Sequence, residues 1–418
     1  MNRRWLALIV VLMAAMVLAP IVLLLLQRGQ PTSGAPAESN APAASRSASM
    51  PADAIAFVDA ASPEDAAWYR LGADPTQFPP RLQVGTVADG VTFEVELRSE
   101  PGSNPDGPVL HRPVLGIGGG VVVVVEDDGT RSRMRAIVAA TGDVHDLLVS
   151  DDLIVDGALA ADGRTAYFVT ADRLSGDLTG AWRIEVGAGY APEAIEGLIS
   201  TAPEIRLVAI TRLFSRMLLS SDGSTLGLFH CIELDCALRA LRTDDGTLIG
   251  EVPIQRGGGD PFAITEHWAL LRPIAPDGPH SVGEVLDLAS GESAPIPIEP
   301  WPLAPEAVVA GDDGAVLALQ TAGWSAPPEG MGQEPGGPPQ VTLVSVDDMQ
   351  VTDSFELPLS ALAIIVEDDY STGVDLPAGW LLIRGSEPGA LVMTAYAMKI
   401  SDGSLVPLPS LGDFFVQG

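Results

Sequence analysis

The 418-residue sequence predicts an all-β fold, a single β-propeller of seven four-stranded blades (six and eight are the alternatives), preceded by an N-terminal transmembrane helix. Short apolar runs alternate with Gly, Asp and Pro punctuation from residue 79 to residue 418, and helical spacing never persists. Tight-turn signals recur at roughly 46 to 57 residues, the period of propeller blades. Residues 5–26 form one uncharged apolar run.

That run fixes the expected address. Twenty-two helical residues span roughly 33 Å against a hydrocarbon core of about 30 Å. A cleaved signal peptide is the rival, with Ala35-Pro36-Ala37 as an imperfect cleavage site. Its apolar stretch would be only about 7–15 residues, so the uncleaved anchor is preferred. Pro20 can kink such a helix without preventing insertion. Arg3, Arg4 and the α-amine outnumber Arg28, so residues 1–4 are expected to form a cytoplasmic stub and the bulk of the chain to be exported. The predicted location is therefore the cell membrane, single-pass, with an extracytoplasmic domain.

Residues 27–52, rich in Pro, Ser and Ala, read as a disordered tether with little to bury. Residues 53–78 form a short N-terminal segment. There, Ser62-Pro63-Glu64-Asp65 predicts a helix start, with a helix running to about Leu71. Residues 79–418 form the propeller domain. Its main turn series is Ala88-Asp89-Gly90, Thr141-Gly142-Asp143, Gly187-Ala188-Gly189, Asp244-Asp245-Gly246, Ser290-Gly291-Glu292, Asp347-Asp348-Met349 and Ser401-Asp402-Gly403. A second series precedes it in several units, at Ala161-Asp162-Gly163, Ser221-Asp222-Gly223 and Asp312-Asp313-Gly314. Asp-Gly suits tight hairpins because Gly accepts positive φ and Asp tolerates it.

Two hairpin turns per period imply four strands per period. One such sheet cannot bury its own faces, so neighbours must stack around an axis. The seventh blade is expected to combine the hairpin around Asp89 with Phe414-Phe415-Val416, closing the ring. A pair of stacked β-sandwiches is the rival and fits the regular spacing less well.

Composition narrows the function. The chain carries 55 acidic and 23 basic residues, a net charge of −32, and Lys399 is its one lysine. That balance excludes nucleic-acid backbones and anionic lipid surfaces as partners, since both need clustered Lys and Arg. The two cysteines lie in His230-Cys231-Ile232-Glu233-Leu234-Asp235-Cys236, flanked by apolar runs. In an oxidising compartment, Cys231 and Cys236 are expected to form a disulfide across a hairpin, contributing about 2 kcal/mol. A zinc site with His230 would lack a fourth ligand, so no metal site is predicted.

The segment Leu218-Leu219-Ser220-Ser221-Asp222-Gly223-Ser224-Thr225-Leu226-Gly227-Leu228-Phe229 resembles the first hairpin of TolB-like and WD-repeat blades. Leu159-Ala160-Ala161-Asp162-Gly163-Arg164-Thr165-Ala166-Tyr167-Phe168 does so too. Leu238-Arg239-Ala240-Leu241-Arg242-Thr243-Asp244-Asp245-Gly246-Thr247-Leu248-Ile249-Gly250 is similar to the repeat of quinoprotein propellers. The resemblance implies architecture. The quinoprotein repeat places Trp soon after its Gly turn, whereas this chain reads Thr247-Leu248-Ile249-Gly250 and Ser404-Leu405-Val406-Pro407, so no cofactor is expected.

No HExxH, paired-histidine or Gly-x-Ser-x-Gly pattern occurs. Gly116-Ile117-Gly118-Gly119-Gly120 precedes five valines, so it reads as a turn entering a buried strand and not as a phosphate loop. The acidic strings Glu126-Asp127-Asp128 and Glu367-Asp368-Asp369 read as solvated turns at strand ends.

The tight Asp-Gly turns would all lie at one end of the ring. Connections lengthen at the other, over residues 171–180, 273–281 and 321–340. Long connections in compact domains are often functional, and Trp and Arg favour binding hot spots. Arg173, Asp177, Trp182 and Trp324 are therefore the candidate binding residues. The function expected is that of an interaction or sensing module of the cell envelope, binding an envelope protein or glycan. An extracytoplasmic propeller enzyme, either a carboxylate-based hydrolase or a quinoprotein-like oxidoreductase, is the alternative. A deep central funnel lined by convergent carboxylates and histidines would favour that enzyme.

Overall fold

The computed structural model describes residues 55–411 except 73–80, 98–101, 105–106, 110–111, 175, 188–190, 200–214, 233–234, 255–259, 273–283, 297–306, 312–313, 323–337, 365–371 and 391–392. All of these belong to the second of two compact units, residues 41–418. The predicted membrane helix and tether lie outside the described residues. Among the described residues no helix is long and apolar enough to cross a membrane.

The fold is an all-β propeller of seven four-stranded antiparallel sheets. Inner strand to outer, blade I is Thr372–Asp375, Ala67–Leu71, Arg81–Thr86 and Gly90–Glu96. Blade II is Val114–Gly118, Val121–Asp127, Ser132–Val138 and Val144–Ser150. Blade III is Leu153–Leu159, Thr165–Ala171, Leu178–Glu185 and Glu193–Ala194. Blades IV, V and VI begin at Ser215, Asp260 and Ala307 and follow the same meander. Blade VII is Ala361–Ile364, Trp380–Ser386, Thr394–Lys399 and Leu405–Pro407. A small extra hairpin, Gly102–Asn104 with Gly107–Val109, interrupts the connection from blade I to blade II.

Burial closes the circle. Each of the seven apolar clusters bridges one pair of neighbouring sheets. Leu82 and Val84 meet Val122 and Val124 between I and II, and Met134 meets Phe168 and Trp182 between II and III. The series continues through III–IV, IV–V, V–VI and VI–VII to Trp68 against Ala397 between VII and I. A sandwich pair would leave sheets with one buried face, whereas here neighbouring sheets stack on both sides.

Two details of the ring differ from expectation. The strand beside Ala67–Leu71 is Thr372–Asp375, an excursion between the first two strands of blade VII. Phe414-Phe415-Val416 lies outside the described residues. The helix expected from Ser62 is only a 3-10 turn, Pro63–Asp65, followed by the strand Ala67–Leu71. Ser62 Oγ bonds Asp65 Oδ2 at 2.9 Å, and Ala66, Trp68 and Tyr69 are drawn into the ring by burial. Tertiary packing outweighs the local start signal.

The seven main turns each join the two outer strands of one blade. Gly90, Gly142, Gly187, Gly246, Gly291 and Gly403 there have positive φ, and Met349 takes that place in blade VI with φ 54°. Gly163 also requires glycine by contact, because a Cβ there would fall on the Gly118 carbonyl of the neighbouring blade. Residues 55–60 cross this same end of the ring. Val58 N donates to Gly119 O at 2.8 Å, and the Arg164 guanidinium sits 4.9 Å from the Phe57 ring centre.

Candidate functional site

Antiparallel order puts the connections between second and third strands at one end, together with the crossings to the next blade. The connections over 171–180, 273–281 and 321–340 are all of this kind, opposite the Asp-Gly turns. At this end blade II presents two different faces. Along Ser132–Val138, Ser132, Met134 and Ala136 point toward blade III, while Arg133, Arg135 and Ile137 point toward blade I. Strand alternation imposes that division.

Toward blade I the sheets part in a cleft of about 340 Å³ lined by Val95, Glu96, Glu126, Asp128, Arg131, Arg133 and Arg135. Arg135 holds Glu126 at 2.8 Å and Asp146 at 3.0 Å, and Arg131 holds Asp151 at 3.0 Å. Asp128 Oδ1 accepts from Thr130 Oγ1 at 2.7 Å, Thr130 N at 2.9 Å and Arg131 N at 2.8 Å. The Thr130 hydroxyl and these backbone N–H groups hold its carboxyl down at about 2. Arg133 is exposed and unpaired among the described residues.

Toward blade III the same end is sealed. Asp127 is fully buried, and Arg173 reaches both its oxygens, Nη1 to Oδ1 at 3.0 Å and Nη2 to Oδ2 at 2.8 Å. Ser132 Oγ donates to Asp127 Oδ2 at 2.7 Å and accepts from Ile154 N of blade III at 3.0 Å. Arg173 Nε also donates to Asp151 O at 2.6 Å. A second chain runs from Trp182 Nε1 to Thr170 Oγ1 at 2.9 Å, across 2.8 Å to Thr179 Oγ1, and on to Asp152 Oδ2 at 2.9 Å.

The candidate residues therefore separate. Arg173 is taken up by Asp127, and Trp182, 4% exposed, is core between blades II and III. Both are engaged by the protein's own groups. Asp177 closes the turn that carries Arg173, its carbonyl accepting from Asp172 N at 2.8 Å. Trp324 lies outside the described residues. The expectation that Glu126-Asp127-Asp128 is a solvated turn is corrected likewise, because only Asp128 of the three is exposed. The string Glu367-Asp368-Asp369 is outside the described residues.

The cleft arginines escaped the sequence reading. Their signal was present as Arg131, Arg133 and Arg135 at period 2, which places two guanidinium groups along one face of Ser132–Val138 and a third in the turn before it. The Cys231↔Cys236 register places the two cysteines opposite each other. Among the described residues, no group of three His, Cys, Asp or Glu could hold a metal ion.

Among the described residues, two inner-strand carboxylates are each taken up by a neighbouring blade. Asp156 is buried, accepts from Met217 N of blade IV at 2.8 Å and lies 3.5 Å from Arg112. Burial raises its carboxyl above the usual range. Asp375 accepts from Gly120 N of blade II at 2.9 Å. Burial, with the Asp59 charge adding to it, pushes its carboxyl up to about 6 against the pull of that N–H. Both carboxylates bind a backbone N–H of a different blade.

No described protein family matches the sequence, and neither does any curated protein. Solved structures do match in architecture. TolB from Acinetobacter baumannii is 11% identical over 81% of this chain and 79% of its own, with a TM-score of 0.36. The β-propeller domain of the Trilobed protease from Pyrococcus furiosus is 11% identical over 70% and 84%, at 0.41. An oligogalacturonate lyase in complex with manganese is 11% identical over 81% and 83%, at 0.39. The resemblance to β-propeller proteins, TolB among them, is one of architecture.

Proposed function

We propose that this chain is a membrane-anchored, extracytoplasmic interaction module of the cell envelope that binds an envelope protein or glycan at the long-connection end of its propeller. One observation carries the reading. The charged cleft between blades I and II opens at the same end as the longer connections, whereas the interface beside it is sealed. The uncharged run at 5–26 supplies the anchor and 27–52 the tether. A disulfide between Cys231 and Cys236, supported by their opposed register, would staple the hairpin of blade IV at that end.

The test is recovery of a cross-linked partner from native membranes by the full chain, by a chain lacking 321–340, and by Arg131→Glu/Arg133→Glu. Loss of the partner in either variant, with the fold intact by circular dichroism, is the expected result. Equal recovery by all three rejects binding at this end. Non-reducing peptide mapping should give Cys231 and Cys236 in one linked fragment.

A further inference from the structure

Among the described residues six large apolar side chains are exposed, and five of them share one end of the ring. Val91, Val144, Leu248 and Val351 each lie at the start of an outer strand, just after a main turn. Val58 belongs to the segment that crosses that same end. Leu174 is the exception. At 75% it is the most exposed of the six, and it stands on the turn between Thr165–Ala171 and Leu178–Glu185, at the long-connection end.

The turn that carries Leu174 is held from several directions. Asp172 N donates to Asp177 O and Gly176 N to Asp172 O, both at 2.8 Å, and Leu174 N donates to Asp172 Oδ1 at 3.0 Å. Arg173, the residue before it, sets its fork on buried Asp127 and its Nε on Asp151 O. Asp151 Oδ1 accepts from Arg131 Nε at 3.0 Å, which makes the turn continuous with the rim of the charged cleft. A buried ion pair adds little net stability, because desolvation offsets the attraction of its members. Here it delivers position, fixing the backbone under an exposed leucine.

A fixed apolar side chain selects a partner. Burying one leucine raises affinity about ten- to a hundredfold, and a side chain whose backbone is already ordered loses less freedom on binding. That gain needs an apolar pocket. A glycan is held by hydrogen bonds and by stacking on aromatic rings, and the Leu174 side chain supplies neither. A bilayer is a poor host too: one leucine anchors less than a single acyl chain, and a net charge of −32 repels an anionic leaflet. We propose that Leu174 is the apolar anchor of a protein-docking surface, seated in an apolar pocket of the partner whose rim presents a carboxylate to Arg131. Arg131 bonds Asp151 through Nε and is 57% exposed, so its outer N–H groups face solvent. This anchor rests on the interaction role proposed above and narrows its partner to a protein.

The test is photo-crosslinking in native membranes by the full chain with p-benzoylphenylalanine in place of Leu174, and by a control with it in place of Leu248 at the opposite end. A protease-sensitive adduct is expected from position 174 and none from 248, and the captured peptide should be apolar with Asp or Glu adjoining. Unmodified full chain in micelles should compete for that adduct. Leu174→Ala should raise the half-competing concentration at least about tenfold, while Leu174→Met should match the parent. Arg131→Gln should raise it about threefold, the size of a rim charge. Both side chains are exposed, so the folded ring should be retained. Equal adducts at the two positions, a protease-resistant glycan or lipid adduct, or Leu174→Ala competing like the parent would overturn the anchor. So would no adduct at 174 while the partner is still recovered. If deletion of 321–340 or reversal of the cleft charges abolishes recovery and Leu174→Ala leaves it unchanged, the anchor falls and the interaction role stands. If no form of the chain recovers a partner, both fall.

Discussion

Blade II is one sheet with two neighbours, and its two interfaces differ at the same end of the ring. Toward blade III, a buried carboxylate meets a half-buried guanidinium fork, and a Trp-Thr-Thr-Asp chain seals the rest. Toward blade I, the third strand presents arginines to a cleft, and one of them is left unpaired. Both faces come from a single alternating stretch, Ser132 to Val138. An arginine's role is thus set by what the opposing blade supplies. Arg173 finds Asp127 between the blades and becomes structure, whereas Arg133 finds an open gap and stays unpaired.

The sharpest way to break that contrast is Asp127→Ala. It strands Arg173 without its counter-charge in the sealed interface, and loss of a buried ion-pair partner costs about 3–5 kcal/mol. A drop of that size in the unfolding free energy from urea titration is expected, and a drop under about 1 kcal/mol would show the clasp to be dispensable.

The opposite end offers a second comparison. Gly163→Ala puts a methyl group against the Gly118 carbonyl at positive φ, and a loss of about 2–3 kcal/mol is expected. Gly223→Ala occupies the equivalent turn of blade IV with nothing within 4 Å, so it should lose only the left-handed penalty of about 1 kcal/mol. Equal losses would remove the turn-to-turn contact between blades II and III as a source of stability.

A third test addresses ring closure. Asp375 is held up at about 6, above its unfolded value, so the folded ring binds its proton more tightly than the unfolded chain does. Its stabilising contribution is full below the unfolded pKa of 3.8 and is lost as pH rises through about 6. Asp375→Asn keeps an acceptor for Gly120 N–H and cannot ionise. The variant should therefore gain stability on the wild type as pH rises from about 4 to about 6 and keep that gain above it, and parallel pH profiles would refute the assignment.

The smallest expected effect is Arg133→Gln on stability. With no partner to strand, it should change the unfolding free energy by less than about 0.5 kcal/mol, against several for Asp127→Ala. A larger loss would mean that the cleft is structural after all.

Much of this was legible in the chain. The Gly and Asp turn signals mark the outer hairpin of every blade, because positive φ is a local demand that the residue itself must meet. The blade VI turn was found through Asp347-Asp348 although Met349 takes the glycine's place, at φ 54°. The asymmetry of the two ends followed from the same turns. The site was not legible in this way. Arg173 and Trp182 have the composition of a binding surface, but their partners, Asp127 and Thr170, lie 46 and 12 residues away.

By itself, then, the sequence determined the repeat, the four-strand unit, the turns and the end of the ring where connections lengthen. Each of these depends on neighbours within a few residues or on a period along the chain. Only the tertiary structure decided that Thr372–Asp375 supplies blade I with its inner strand, that Arg173 is clasped and that Arg133 is free. Those outcomes depend on which groups from distant segments meet as the sheets stack, and on whether the space between them closes against water.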